Sequence, residues 1–579
     1  MKLTDALKVI QELTTDAPPL DVKLACGFTP LHLETLLRAE LCLQFPDRSP
    51  RVKTGLYGDL VGSLERLHDV SAAVVVIEWA DLDPRLGLRA LGGWEPSQLA
   101  DILANSRGKC DLIQHAVETA AKNAPVVGCF PTLPLPPVSF THGARANELV
   151  LELRSLVASL SVSVARVPNV RVVDPQRINA LSDSGRLDVK SDLLTGFPYT
   201  LPHASVLAEL LAWLVRNPLP KKGLITDLDE TLWNGILGEV GSEGISWDLD
   251  NHGQIHGLYQ QLLRSLAASG TLIAVASKSD PKLVVEAFAR KDIVLRKTDV
   301  FPFEVHWGTK SESVSRILSV WNISADSVVF VDDNPMELAE VKTIHPELEC
   351  LLFRGRDYQA SYELIRRLRD LFGKDRILEE DSLRADGLRA YAAIQRNESK
   401  MSSDPSEFQQ QLGAKLTFSF KKLPVDPRTL ELVNKTNQFN LNGFRYSEAG
   451  WRHLLEQEET ILLTVSYTDK FGPLGKIAVL GGRLDVGDGS GQRKLYVQTW
   501  VMSCRAFSRL IEYMCLQHLF SKLEVEQIGF NFVPTGRNRP MQDFLRQLHG
   551  RLAESSFCVS RAHYAKTCPS LSHTVEEAK

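Results

Sequence analysis

Gly223-Leu224-Ile225-Thr226-Asp227-Leu228-Asp229-Glu230-Thr231 is the stretch on which the fold turns. A short apolar run ends in two carboxylates spaced i and i+2. At a strand's period of two, Asp227 and Asp229 point the same way. One can attack an electrophilic phosphorus while the other handles a proton, and together they can hold a divalent cation. An isolated DxDxT is weak evidence, so its meaning depends on partner groups further along the chain.

Three such groups occur in order. Leu272-Ile273-Ala274-Val275-Ala276 is a second apolar run, ending in Ser277-Lys278. A strand-end hydroxyl there can donate to a phosphate oxygen. Lys310 precedes a helical pattern through Val314, Ile317, Leu318 and Trp321, where a lysine can neutralise phosphate and carboxylate charge. Val328-Val329-Phe330-Val331 runs into Asp332-Asp333-Asn334-Pro335, again a strand ending in paired carboxylates. Strands alternating with helices predict a parallel sheet whose ligands lie beyond the strands' carboxyl ends, and every polar candidate falls at such an end.

The order DxDxT, Ser, Lys, DD resembles the haloacid dehalogenase (HAD) phosphatase superfamily. That resemblance implies Asp227 as a nucleophile that becomes an aspartyl phosphate and Asp229 as general acid/base. It implies Ser277 and Lys310 as phosphoryl ligands, with Thr231 and Lys278 beside them. Asp227, Asp332 and the Asp229 backbone carbonyl would hold Mg²⁺, a fit for an all-oxygen site, with Asp333 and Asn334 in support. The alternative is a set of solvated strand-end carboxylates. About forty residues separate Thr231 from Ser277 and about thirty separate Ser277 from Lys310; neither gap holds a folded lid, because domains start near ~50 residues. The glycine-rich stretch from Asn234 to Gly244 reads as a flap over an uncapped site open to a large partner.

At 579 residues the chain is too long for one core. A composition of 44% apolar and 24% charged residues is ordinary for a globular protein. A net charge of -5 without a basic block gives no sign of nucleic-acid binding. No apolar stretch reaches the ~18 residues of a membrane span. Met1-Lys2-Leu3-Thr4-Asp5-Ala6-Leu7 reads as an amphipathic helix, not a secretory signal. Nine cysteines without CxxC pairs favour reduced thiols in a cytoplasm.

Residues 1–218 show their own α/β alternation, with candidate strands Val22–Ala25, Val52–Leu56, Ala73–Trp79, Pro125–Phe130 and Val170–Val173. The layout resembles an SGNH-hydrolase domain. The serine expected after the first strand is replaced by Cys26-Gly27-Phe28-Thr29-Pro30, and the histidine reads Thr200-Leu201-Pro202-His203 without its aspartate. The expectation is a non-hydrolytic domain for assembly or docking, with His203 at a helix start or interface.

From Ile377 the pattern changes. Helical stretches Ser382–Arg396 and Pro405–Gln411 precede strands at Ala414–Phe420, Thr460–Ser466, Lys476–Leu480 and Leu495–Met502, and Ser503-Cys504-Arg505 opens a helical pattern. This order resembles a GNAT-like acyltransferase domain, without its usual glycine-rich turn. Asn434 to Asn442 reads as a hydrogen-bonding loop or a turn-rich surface connection. Cys504, at a helix start between cations, is either an acyl acceptor or a packed thiol.

The expected fold class is therefore α/β multidomain: an SGNH-like α/β domain over 1–218, a capless HAD Rossmannoid parallel sheet over 222–376, and a GNAT-like α+β domain over 377–570. The combination resembles the FkbH-like HAD family on Asp227 to Gly235, Ala276 to Asp280, Phe330 to Pro335, Asn434 to Asn440, Ser503 to Arg505 and Val533 to Asn538. The resemblance implies a glyceryl transferase/phosphatase. Such a protein dephosphorylates 1,3-bisphosphoglycerate and loads glyceryl as a thioester on the phosphopantetheine arm of an acyl carrier protein, for polyketide extender units such as methoxymalonyl. No nucleic-acid or membrane partner is expected. A plain phosphatase on a small phosphorylated metabolite, a non-enzymatic scaffold, and acyl loading for a surface polysaccharide remain as alternatives.

Overall fold

Runs of β-branched and other apolar residues buried on both faces belong in the middle of parallel sheets, and two such sheets form in succession. In the computed structural model, which describes residues 1–12, 17–67, 70–138, 140–374, 413–470, 472–485, 493–503, 506–507, 509–550 and 556–578, the first sheet contains β1 (Pro19–Cys26), β2 (Ser49–Thr54), β3 (Ala72–Val76), β4 (Val126–Cys129) and β5 (Val170–Val172). Its order is β2-β1-β3-β4-β5, all parallel. The chain starts at β1 and steps to either side of it, so a switch point opens between β1 and β3. The expected Ala73–Trp79 strand stops at Val76, because Glu78 and Asp81 form a capping box that turns the chain into a short helix at Trp79.

The second sheet contains β6 (Gly223–Thr226), β7 (Leu272–Ser277), β8 (Phe303–Val305), β9 (Val328–Asp332) and β10 (Glu349–Leu352), again all parallel, in the order β10-β9-β6-β7-β8. Its switch point lies between β6 and β9. Alternate residues face opposite cores: Leu224, Val329 and Val331 pack with Tyr259 and Leu263 on one side. Ile225, Val328 and Phe330 pack with Ile317 and Trp321 on the other. Gly223 starts β6 because the Trp321 ring lies against its backbone; a Cβ there would come within 2.5 Å of the indole.

The third sheet is mixed. It contains β11 (Lys415–Ser419), β12 (Phe439–Asn440), β13 (Thr460–Asp469), β14 (Gly472–Asp485), β15 (Lys494–Met502), β16 (Gln527–Phe530), β17 (Phe557–Ser560) and β18 (Thr574–Glu577). The order is β17-β16-β15-β14-β13-β11-β18, with β12 paired to β15. β15 and β16 run parallel from Lys494↔Gln527 to Val497↔Phe530. Beyond that point they part, and β12 takes the space, pairing Asn440 with Val501 and Phe439 with Met502. The Asn-rich stretch is thus built into the sheet and is not a surface connection. Asn538, fully buried, donates to the Asn440 and Val533 carbonyls at 3.0 Å each. The expected helices Ser382–Arg396 and Pro405–Gln411 lie outside the described residues.

The chain divides into two compact units, Met1–Pro218 with Ser447–Gly450, and Leu219–Tyr446 with Trp451–Lys579. Within the second unit, Lys222 Nζ donates to the Lys435 carbonyl at 3.1 Å, and Arg537 pairs with Asp326 at 3.1 Å. Lys222 directly precedes β6 and Asp326 closely precedes β9, so these ties to the third-sheet region sit at the strands' amino ends. Among the described residues, no helix is long and apolar enough to cross a membrane.

Candidate phosphoryl-transfer site at the carboxyl ends of the second sheet

The paired register of β6 and β9 sets Thr226 against Val331, so Asp227 follows one strand and Asp332 ends the other at the same level. The Asp227 N–H donates to the Val331 carbonyl at 3.0 Å, which fixes the side chain over the switch point. Lys310, first residue of the helix Lys310–Trp321, reaches in from the other side. Its ammonium lies 3.1 Å from Asp227 Oδ2 and 2.5 Å from Asp332 Oδ2. All three residues are buried.

One oxygen of Asp227 is left over. Oδ1 is buried and takes no hydrogen bond in the structure. Asp227, Asp332 and Asp333 each offer a carboxylate oxygen within 4.8 Å of the others. A buried carboxylate oxygen without a donor, in an all-oxygen cluster, fits a hard divalent cation such as Mg²⁺. Asp333, which the sequence placed in support, joins this cluster, while the Asp229 side chain does not.

The charges are mutually shifted. Burial and then the Asp227 charge raise the Asp332 carboxyl, against the pull of Lys310. The same two causes push Asp333 up to about 6. Burial alone would lower Lys310, but Asp227 and Asp332 together outweigh it and hold the ammonium above its usual value.

The remaining sequence candidates have definite places. Thr231, fully buried, donates from Oγ1 to Asp333 Oδ1 at 3.3 Å. Ser277 ends β7 and is buried. Lys278 is engaged by Glu337 at 2.8 Å. Asn334 caps the helix Pro335–Ile344, accepting from the Met336 N–H, and its own N–H donates to Asp332 Oδ1 at 2.9 Å. Asp229 turns towards the glycine-rich stretch: Oδ1 accepts from the Trp233 indole at 2.8 Å and from the Leu237 N–H at 3.0 Å. Burial raises its carboxyl, opposed by those two donors. The stretch itself forms a helix, Leu237–Gly244, kinked at Gly241, whose φ is 72°. Cys504 lies outside the described residues.

The sequence reading missed the supports. The helix Gln254–Ala268 presents His256, Tyr259 and Gln260 to the loop after β6. Tyr259 donates to Thr226 Oγ1, which donates to the Asp227 carbonyl. His256 Nδ1 meets the Thr231 carbonyl at 3.0 Å, and Gln260 donates to the Leu232 carbonyl at 2.9 Å. Three polar residues on adjacent turns of an otherwise apolar helix face were the available signal.

No protein-family profile and no curated protein matches the chain. Among solved structures, the chain resembles the N-terminal part of the protein BF1531 from Bacteroides fragilis, which contains a phosphatase domain and was crystallised with Mg. The TM-score is 0.52 and the identity 20%, over 65% of this chain and 100% of that one. This likeness shows a shared fold over the matched part of the chain. A GCN5-related glucosamine N-acetyltransferase region of a fungal multi-domain GH3 β-N-acetylglucosaminidase aligns over 93% of this chain and 63% of its own at 10% identity. Its TM-score of 0.16 is too low to carry an argument.

Proposed function

We propose that the protein is a Mg²⁺-dependent phosphatase of the aspartyl-phosphate type that also transfers a glyceryl group. In this reading it dephosphorylates 1,3-bisphosphoglycerate and loads glyceryl as a thioester onto an acyl carrier protein. The observation that carries the phosphatase part is the free oxygen of Asp227, buried and without a donor beside Lys310, Asp332 and Asp333. Asp227 forms the new P–O bond as the substrate's P–O bond breaks. Asp229, whose raised carboxyl retains a proton more readily, protonates the departing oxygen and later takes a proton from water. Lys310 balances the charge of Asp227 and of the incoming phosphoryl oxygens. A Mg²⁺ ion held by Asp227, Asp332 and Asp333 would neutralise phosphoryl charge.

The glyceryl part rests on the sequence stretches shared with the FkbH-like family and on the chemistry of an acyl phosphate, an electrophile that a thiolate attacks directly. Cys504 or the carrier thiol is the acceptor in this reading. The protein is incubated with Mg²⁺, 1,3-bisphosphoglycerate and carrier protein, then the carrier is weighed by mass spectrometry. A glyceryl adduct that disappears in Asp227→Asn supports the whole reading. Phosphate release without any adduct leaves a phosphatase of small metabolites, and neither product leaves a scaffold.

A further inference from the structure

The phosphoryl site has no surplus of positive charge. Asp227, Asp332 and Asp333 set three carboxylates against the single ammonium of Lys310. A divalent cation held there only brings the centre to balance. A substrate with a second anionic group must therefore meet its cation elsewhere along the rim. His256, on the helix Gln254–Ala268, does not supply it, because burial holds its ring below the usual range. Past the end of β7, Lys278 is taken by Glu337 at 2.8 Å, and Lys282 is a single exposed cation in the first turn of the helix Pro281–Ala289.

Two guanidinium groups stand past the end of β10. That strand ends at Leu352, which pairs with Asp332, and the Phe353 N–H donates to the Asp332 carbonyl at 2.9 Å. The chain then turns through Arg354-Gly355-Arg356 before the helix Tyr358–Phe372. Both arginines are exposed, and among the described residues neither guanidinium has a hydrogen bond or an ion pair.

The turn is fixed against the catalytic loop. The Arg354 carbonyl accepts from the Asp357 N–H at 2.8 Å and from the Ser361 hydroxyl at 2.7 Å. Gly355 is pressed against its neighbours: a Cβ there would come within 2.9 Å of the His256 imidazole and 3.4 Å of the Glu230 carbonyl. His256 Nδ1 meets the Thr231 carbonyl at 3.0 Å, so one ring spaces the arginine turn from the loop that carries Asp227 and Asp229. The carboxylates of these two loops are engaged: Asp357 accepts from the Ala360 N–H at 3.0 Å, and Glu230 from the Gly235 N–H at 2.9 Å. β10 is two strands from β6, or about 10 Å at ~4.8 Å per strand spacing. A long arginine side chain and a short substrate can share that span. A guanidinium offers paired N–H donors in one plane, the geometry that a carboxylate or a phosphate accepts.

We propose that Arg354 and Arg356 form a second oxyanion subsite, which selects phosphorylated substrates bearing another carboxylate or phosphate a few bonds from the reacting phosphorus. This rests on the phosphatase reading above and narrows its substrate class to small, doubly anionic molecules. The two arginines determine specificity: they hold the distant group and take no part in bond breaking.

The test titrates the full chain carrying Asp227→Asn by isothermal calorimetry with glycerol 3-phosphate, 3-phosphoglycerate and glycerol 1,3-bisphosphate. These differ in the second group, which is absent, a carboxylate or a phosphate. At least one doubly anionic ligand is expected to bind about ten-fold or more tightly than glycerol 3-phosphate, and its identity names the oxyanion. Arg354→Met with Arg356→Met is expected to reduce that preference to below about three-fold, while Lys282→Met keeps it. Equal affinities for all three ligands overturn the proposal. So does a preference that survives the loss of both arginines, or one that Lys282→Met removes. Hydrolysis of p-nitrophenyl phosphate by the wild type, and its loss in Asp227→Asn, tests the phosphatase reading by itself, so the two failures are told apart.

Discussion

Two all-parallel five-stranded sheets in one chain treat the carboxylate at their switch point in opposite ways. In the first, Glu78 is saturated with donors from Thr132, Leu133 and Tyr199. In the second, Asp227 meets one ammonium on one oxygen and nothing on the other. The two strand orders differ, but each all-parallel sheet supplies a position past a strand end, and the neighbours decide whether the carboxylate there is saturated with donors or keeps an open oxygen. A buried acid with filled valences stabilises and orients; one left short of donors is ready for a cation or a phosphorus atom.

The contrast is open to breakage by substitution. The largest effect is expected from Asp227→Asn, which should lower phosphate release by about a thousand-fold or more while leaving the fold intact; residual release within ten-fold of wild type would end the nucleophile assignment. Lys310→Met should cost about a hundred-fold in rate. It should also cost about 3 kcal/mol of stability in EDTA, because Asp227 and Asp332 lose their shared cation. Differential scanning fluorimetry with and without Mg²⁺ reads this, and equal losses in both buffers would count against a shared metal site. Glu78→Ala should leave phosphate release unchanged yet destabilise the first unit by about 3 kcal/mol, since several buried donors lose their acceptor.

A pH series sharpens the comparison further. Asp333 titrates at about 6 in the folded state, above its ordinary value. An acid raised on folding stabilises below its unfolded pKa, and that contribution is lost as pH rises from ~4 through about 6. The Tm difference between the wild type and Asp333→Asn in EDTA should therefore shift against the wild type across that window, and Mg²⁺ should remove the shift. A difference moving the other way contradicts the assignment. The smallest change is expected from Trp233→Phe, which removes one donor from Asp229 and should alter turnover a few-fold, on the scale of about 1 kcal/mol.

Much of the second sheet was legible because its evidence is local: each apolar run carries its polar group at its own end. The Asp229 orientation was not, because it depends on donors from Trp233 and Leu237 that only folding aligns. The first sheet shows the limit more clearly. Thr132, His203 and Ser182 come together from segments far apart in sequence, and no spacing rule joins them. Yet one half of that network was readable. Ile77-Glu78 succeeds a buried run much as Asp227 succeeds Gly223–Thr226, and the rule applied to the second sheet would have marked Glu78 in the first.

The ties from Lys222 to Lys435 and from Arg537 to Asp326 bear on access to Asp227. They anchor at the end of the sheet remote from Asp227, one strand away, or about 17 Å at ~3.3 Å per residue. Fastened at the strands' roots, these two contacts leave the opposite rim, where Asp227 and Asp332 stand, free of themselves.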